Sequence, residues 1–231
     1  STSPDSVTLE IFHARLAPAR EEQLAELWRH VDEMQLSTDL RRRLQANGFR
    51  LGVIGGPLPP EVSELFLLTE QSDAASAEQL ITEQAATPRV KRRVVQLRKG
   101  EPTLIKPTDV TDELRVLYST DEGLTGSLYT QARGVYELRA EAAAGQRVTV
   151  ELSPELHHGE LRNRYVGGEQ GMFLVTPSRE REQFPDLRIA LELDPGDLLV
   201  LGTIDEAPSS LGDALHTVRS TGIEEQKLLM L

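Results

Sequence analysis

Two short stretches of this 231-residue chain concentrate side chains able to do chemistry. The first is His157-His158-Gly159-Glu160, the one cluster of metal-ligand type. Side chains alternate across a strand, so His158 and Glu160 would share one face, and Glu155 and His157 the other. Each face then offers two ligands where a zinc or iron site takes three or more. His13, His30 and His216 lie far off with no ligand spacing. No metal is expected, and the pair reads as hydrogen-bonded histidines at a polar strand end or loop.

The second stretch runs from Arg89 to Lys99. It carries six basic residues and no acidic one, inside a chain of formal net charge −12. Alternation places Arg89, Lys91 and Arg93 on one face of a strand. Such a strip could dock an acidic protein surface, an anionic polymer or another copy. The plainer reading is a strip that keeps an edge strand soluble, or that pairs with glutamates on its neighbours. Arg41-Arg42-Arg43 fans around a helix and reads as a solvated face.

The remaining motifs argue against other chemistry. Gly52-Val53-Ile54-Gly55-Gly56-Pro57 sits between a strand and a helix, the setting of a phosphate loop. Phosphate cradles aim backbone N–H groups at the anion. Pro57, Pro59 and Pro60 delete three donors, and the Lys and Ser/Thr of a nucleotide loop are missing. Serine nucleophile elbows and His-Glu-x-x-His helices are absent. No catalytic residue and no cofactor is expected.

The totals narrow the class. At 39% hydrophobic and 27% charged, the chain suits a globular protein with one large or two modest cores. No apolar run approaches the roughly 18 to 20 residues of a membrane helix. An excess of acid disfavours nonspecific nucleic-acid binding, which depends on neutralising phosphates. Without cysteine there is no disulfide, thiolate catalysis or Cys-ligated zinc. The polar opening Ser1–Ser6 reads as the remnant of a removed presequence or the cut end of a longer chain.

The elements that would position these groups follow from periodicity. Val7–Leu16 reads as a strand. Leu24, Leu27, Trp28 and Val31 form one apolar stripe on a helix over 20–32, with Trp28 in the core. A second helix starts at Ser37 or Thr38 and stops at Asn47-Gly48. Phe49–Ile54 is a strand, and a third helix begins at Pro59-Pro60 with Val62, Leu65, Phe66 and Leu68. Residues 1–70 thus read as a β-α-α-β-α module, and 71–88 as a linker.

From 89 to 231 short strands follow: Val90–Leu97, Leu114–Ser119, Ser127–Gln131, Val135–Ala140, Val148–Leu152, Gly171–Thr176, Leu187–Leu193, Leu198–Ile204 and Lys227–Leu231. That spacing means a sandwich or rolled sheet. Leu187–Ile204 reads as the clearest hairpin, with Pro195-Gly196 at the centre of a type II turn. The expected class is α+β: the N-terminal module followed by an antiparallel β-rich domain.

Leu27-Trp28-Arg29-His30-Val31-Asp32-Glu33, Leu40–Gly52, Leu152–Gly159 and Asp194–Gly202 resemble an uncharacterised family of planctomycete-type bacteria. The order from Val148 to Leu231 is similar to the C-terminal part of outer-membrane secretins. It has a strand ending Leu152-Ser153-Pro154, then Leu198–Gly202, a loop with Ser210–Leu215, and a closing Lys227–Leu231. Secretins are ring-forming pores with small α/β ring-building modules. The resemblance implies a noncatalytic assembly subunit of a bacterial cell envelope, located there or in the periplasm, that self-associates or binds protein. The alternative is a soluble binding module for a glycan or peptide.

Overall fold

The computed structural model describes residues 6–16, 21–60, 62–63, 89–167, 173–204, 207–220 and 223–231. Two antiparallel sheets dominate it. The first runs β2 (Phe49–Ile54), β10 (Leu198–Thr203), β12 (Ile223–Met230), β1 (Ser6–Leu16), β3 (Arg89–Arg98), with β11 (Thr217–Ser220) also on β12. The second runs β4 (Thr103–Ile105), β6 (Gly123–Ala142), β7 (Val148–Gly167), β8 (Phe173–Gln183); β5 (Thr111–Thr120) joins β6 and β9 (Ile189–Leu193) joins β7.

Alternation puts apolar faces of both sheets toward each other. Val7, Ile11, Val95, Leu201 and Leu229 of the first meet Tyr136, Leu138, Val150 and Leu152 of the second in one core. Each such aliphatic side chain contributes roughly 1.5–3 kcal/mol on burial. The far face of the first sheet is covered by α1 (Glu21–Arg29), whose Leu27 and Trp28 pack on Ala14, Val200, Leu228 and Met230. The helix ends at Arg29, short of the expected 32, so Val31 joins Leu27 and Trp28 in this cluster from the segment after the helix, and Arg50 lies 4.4 Å over the Trp28 ring.

Helix α2 (Thr38–Ala46) begins where the Ser37 hydroxyl accepts from Leu40 N–H, and ends at Asn47 with Gly48 at φ 79°. That is the predicted cap and stop. A short helix, α3 (Leu211–His216), is wholly buried between the sheets and carries the Ser210 cap. No described helix is long and apolar enough to cross a membrane.

Three expectations are corrected. Leu187–Ile204 is not a hairpin: β9 pairs with β7 and β10 with β2 and β12, in different sheets. The turn itself is as expected, with Asp197 N–H on the Asp194 carbonyl at 3.0 Å and Gly196 at φ 95°. It carries the chain from the second sheet to the first, and Leu193 of β9 and Leu199 of β10 are buried in the core the two sheets share. Ser127–Gln131 and Val135–Ala140 are one strand, β6, bent at Gln131 with φ 47°. Val148–Leu152 is the start of the 20-residue β7, so His157 and His158 lie inside a strand.

The order β-α-α-β holds through Ile54. The third helix is described only by its opening turn, Val62 and Ser63 N–H on Pro59 C=O. Its later residues and the expected linker 71–88 lie outside the described residues. The N-terminal stretch is not a sheet of its own. β1 lies between β12 and β3, and β2 pairs with β10.

Candidate docking face

The strand pairing decides what surrounds Arg89, Lys91 and Arg93. β3 is the last strand of its sheet in the described path, and its register with β1 sets Arg89 opposite Arg15, Lys91 opposite His13 and Arg93 opposite Ile11. β12 adds Lys227 opposite Arg15. By register these basic residues share one face of three adjacent strands, beyond the point where the apolar core ends. Lys91 and Arg93 lie on the same side of β3 as the buried Val95 and Leu97, two and four residues further along the strand.

The local electrostatics are those of a cationic cluster that its carboxylates compensate only in part. Lys91 and Arg93 are exposed and have no ion-pair partner among the described residues. Arg15 reaches Asp109 at 3.5 Å, a carboxylate 90% exposed on the loop after β4. Lys227 is buried and donates from Nζ to the Pro107 carbonyl at 2.6 Å. Burial, and then Arg15, lower its pKa to about 8, although Asp109 and Glu225 pull the other way. His13 is lowered to about 4 by burial and by the charges of Lys227, Arg93 and Lys91. Two groups thus lose protons more easily in part because cations crowd this face, and an anion seated there would offset that repulsion.

The other face of β3 behaves differently. Arg92 pairs with Glu10 of β1. On that face Arg92 is neutralised by a neighbour, whereas Lys91 and Arg93 on the opposite face have no such carboxylate among the described residues. Its charges also suit an end strand that must not pair with another chain.

The histidine pair does not converge on one point. His157 Nε2 lies 2.8 Å from Glu155 Oε2, and Gln183 donates to Glu155 Oε1 at 2.8 Å. Burial raises the Glu155 carboxyl, but the bonds from His157 and Gln183 and the charge of Arg181 outweigh it and hold the pKa low. His158 instead lies against Tyr129, ring centroids 4.9 Å apart. A bulge follows, with Gly159 at φ 76°. Among the described residues no three His, Asp or Glu side chains gather closely enough to hold a metal.

A second polar cluster escaped sequence analysis. His216 on α3 accepts at Nε2 from the Tyr136 hydroxyl, 2.6 Å away, and donates from Nδ1 to the Lys227 carbonyl at 2.9 Å. Both rings are fully buried, so the assembly braces β6, α3 and β12 rather than meeting solvent. The one available signal was Lys227, a charge set directly against the apolar run Leu228–Leu231. The glycine turn is structural too: a Cβ on Gly52 would stand 2.5 Å from Val31 Cγ1 and 2.6 Å from the Asp32 carbonyl.

A cleft of about 1240 Å³ opens between the start of β1, the β6–β7 turn and the β9–β10 turn. Val7, Leu9, Phe12 and Leu193 line it, with Glu10 and Arg147 among its charges. Comparison with family models, curated proteins and solved structures gives no match for this chain.

Proposed function

We propose that this chain is a noncatalytic assembly subunit of a bacterial cell-envelope complex that docks an acidic protein surface. The observation that carries the docking is the basic face of β1, β3 and β12, where exposed Lys91 and Arg93 stand beside His13, Arg15 and Lys227. The envelope setting and a kinship to secretins rest on the resemblance of Val148–Leu231 alone. The buried histidines support a noncatalytic role, since Nε2 of His157 and both ring nitrogens of His216 are engaged by partners within the fold.

Poly-L-glutamate serves as the probe. The chain should bind it at low ionic strength despite its own net charge of −12, and lose affinity steeply as salt rises. Lys91→Glu/Arg93→Glu should weaken binding about tenfold or more. No binding at low salt, or binding indifferent to the charge reversal, rejects the proposal.

A second reading, a soluble module for a glycan or peptide, is favoured by the large cleft at the start of β1. A single competable hit on a glycan array, abolished by Phe12→Ala, would place it first.

A further inference from the structure

β6 presents an edge that no other described strand covers. Its ladder with β7 stops at Arg133 and His157, although β6 extends back to Gly123 and β7 on to Gly167. From 123 to 131 β6 pairs only with β5 among the described residues. Leu114, Tyr118 and Tyr129 pack one face of this ribbon on the core, so the edge is anchored. The other face exposes Leu117, Leu124 and Leu128, the last two at 66% and 57%.

Two features set this edge apart. Residues 123–131 read Gly-Leu-Thr-Gly-Ser-Leu-Tyr-Thr-Gln, with no charge in a chain that is 27% charged. β3, by contrast, is loaded with Lys and Arg, the usual guard against pairing. Second, the backbone direction is known. Leu117 N–H donates to the Ser209 carbonyl and Ser119 N–H to the Asn47 side chain, both away from β6. Their pair-mates Gly126 and Leu124 therefore turn their own N–H and C=O outward, as does Leu128 two residues on.

We infer that the β6 edge pairs antiparallel with the same edge of a second copy, about a two-fold axis through Gly126. This names one partner for the assembly role proposed above and rests on it. In that register Gly126 faces Gly126 of the other copy, and Leu124 faces Leu128. The outward groups at 124, 126 and 128 supply about six inter-copy hydrogen bonds, two for each pair. The exposed leucines of both copies become one apolar patch, and no like charges fall opposite each other. Asp121 and Glu122 meet Gln131 and Thr130. An acidic peptide or a strongly charged strand would find no complement here, whereas an identical neutral strand does. The isologous contact consumes the edge, so association stops at the dimer.

Sedimentation equilibrium of the full chain should show a monomer–dimer equilibrium. Leu124→Lys/Leu128→Lys sets like charges opposite each other and should weaken the dimer at least about tenfold, with circular dichroism unchanged because both side chains are exposed. Leu124→Glu/Leu128→Glu should do the same, and an equimolar mixture of the two variants should restore dimer. A wild type that stays monomeric at all concentrations, a dimer indifferent to these substitutions, or variants that fail to associate when mixed overturns the inference. So does a dimer lost only in Lys91→Glu/Arg93→Glu. Poly-L-glutamate binding by a strictly monomeric chain would remove the edge contact and leave the docking face standing.

Discussion

His216 allows the interior to be tested by acid. A carbonyl only accepts, so the 2.9 Å contact with Lys227 C=O puts the ring proton on Nδ1. Nε2 must then accept from Tyr136, whose phenol burial holds protonated well above its ordinary range. The neutral ring is satisfied at both nitrogens. Protonating Nε2 turns an acceptor into a donor and leaves a buried charge without a counter-ion. Burial is the main cause, reinforced by the Lys227 and His13 charges and opposed by the Lys227 carbonyl; together they lower the pKa from 6.5 to about 4.

The unfolded chain therefore takes up this proton first, and stability falls as pH drops from about 6.5 to about 4. A gap of this size between the two values removes roughly 3 kcal/mol of stability by pH 4. The perturbation is His216→Gln, which cannot titrate. The assay is urea unfolding read through Trp28, the only tryptophan and a buried one, at steps from pH 7 to pH 4. The stability difference between wild type and variant should shrink by about 3 kcal/mol over that window. Other groups titrate in both chains and cancel, apart from the coupling to His13. A difference that stays constant across the window refutes the reasoning, because the ring would then carry its proton equally in both states.

Two further predictions concern packing and the other buried cluster. Gly52→Ala should cost roughly 1–3 kcal/mol in chemical denaturation, because Val31 and the Asp32 backbone occupy the space a Cβ needs; an unchanged midpoint would mean β2 can move off the Asp32–Val53 bridge. Glu155→Gln should cost about 1–3 kcal/mol at neutral pH, since the amide cannot accept from both His157 and Gln183 as the carboxylate does. Its melting temperature should converge on that of the wild type as acid protonates Glu155, and a parallel pair of curves would count against the carboxylate.

Short-range chemistry was legible in the residues alone. Ser37 and Asn47-Gly48 mark the ends of α2, Pro195-Gly196 shapes its turn, and alternation puts Lys91 and Arg93 on one face. Each depends on neighbours within a few positions, so the local sequence determines it. Partnership was not legible. Alternation says which face of a strand is buried and nothing about which strand lies beside it. Ile189, Leu191 and Leu193 would bury equally well against β10 or β7, and no local signal says that β7 wins. The same limit hid the site. His13, Arg15 and Lys227 join the basic strip only because β1 lies between β3 and β12, with more than seventy residues of chain between β1 and β3. Hydrogen-bond ladders between distant segments are chosen by the total core they close, and that sum exists only in three dimensions.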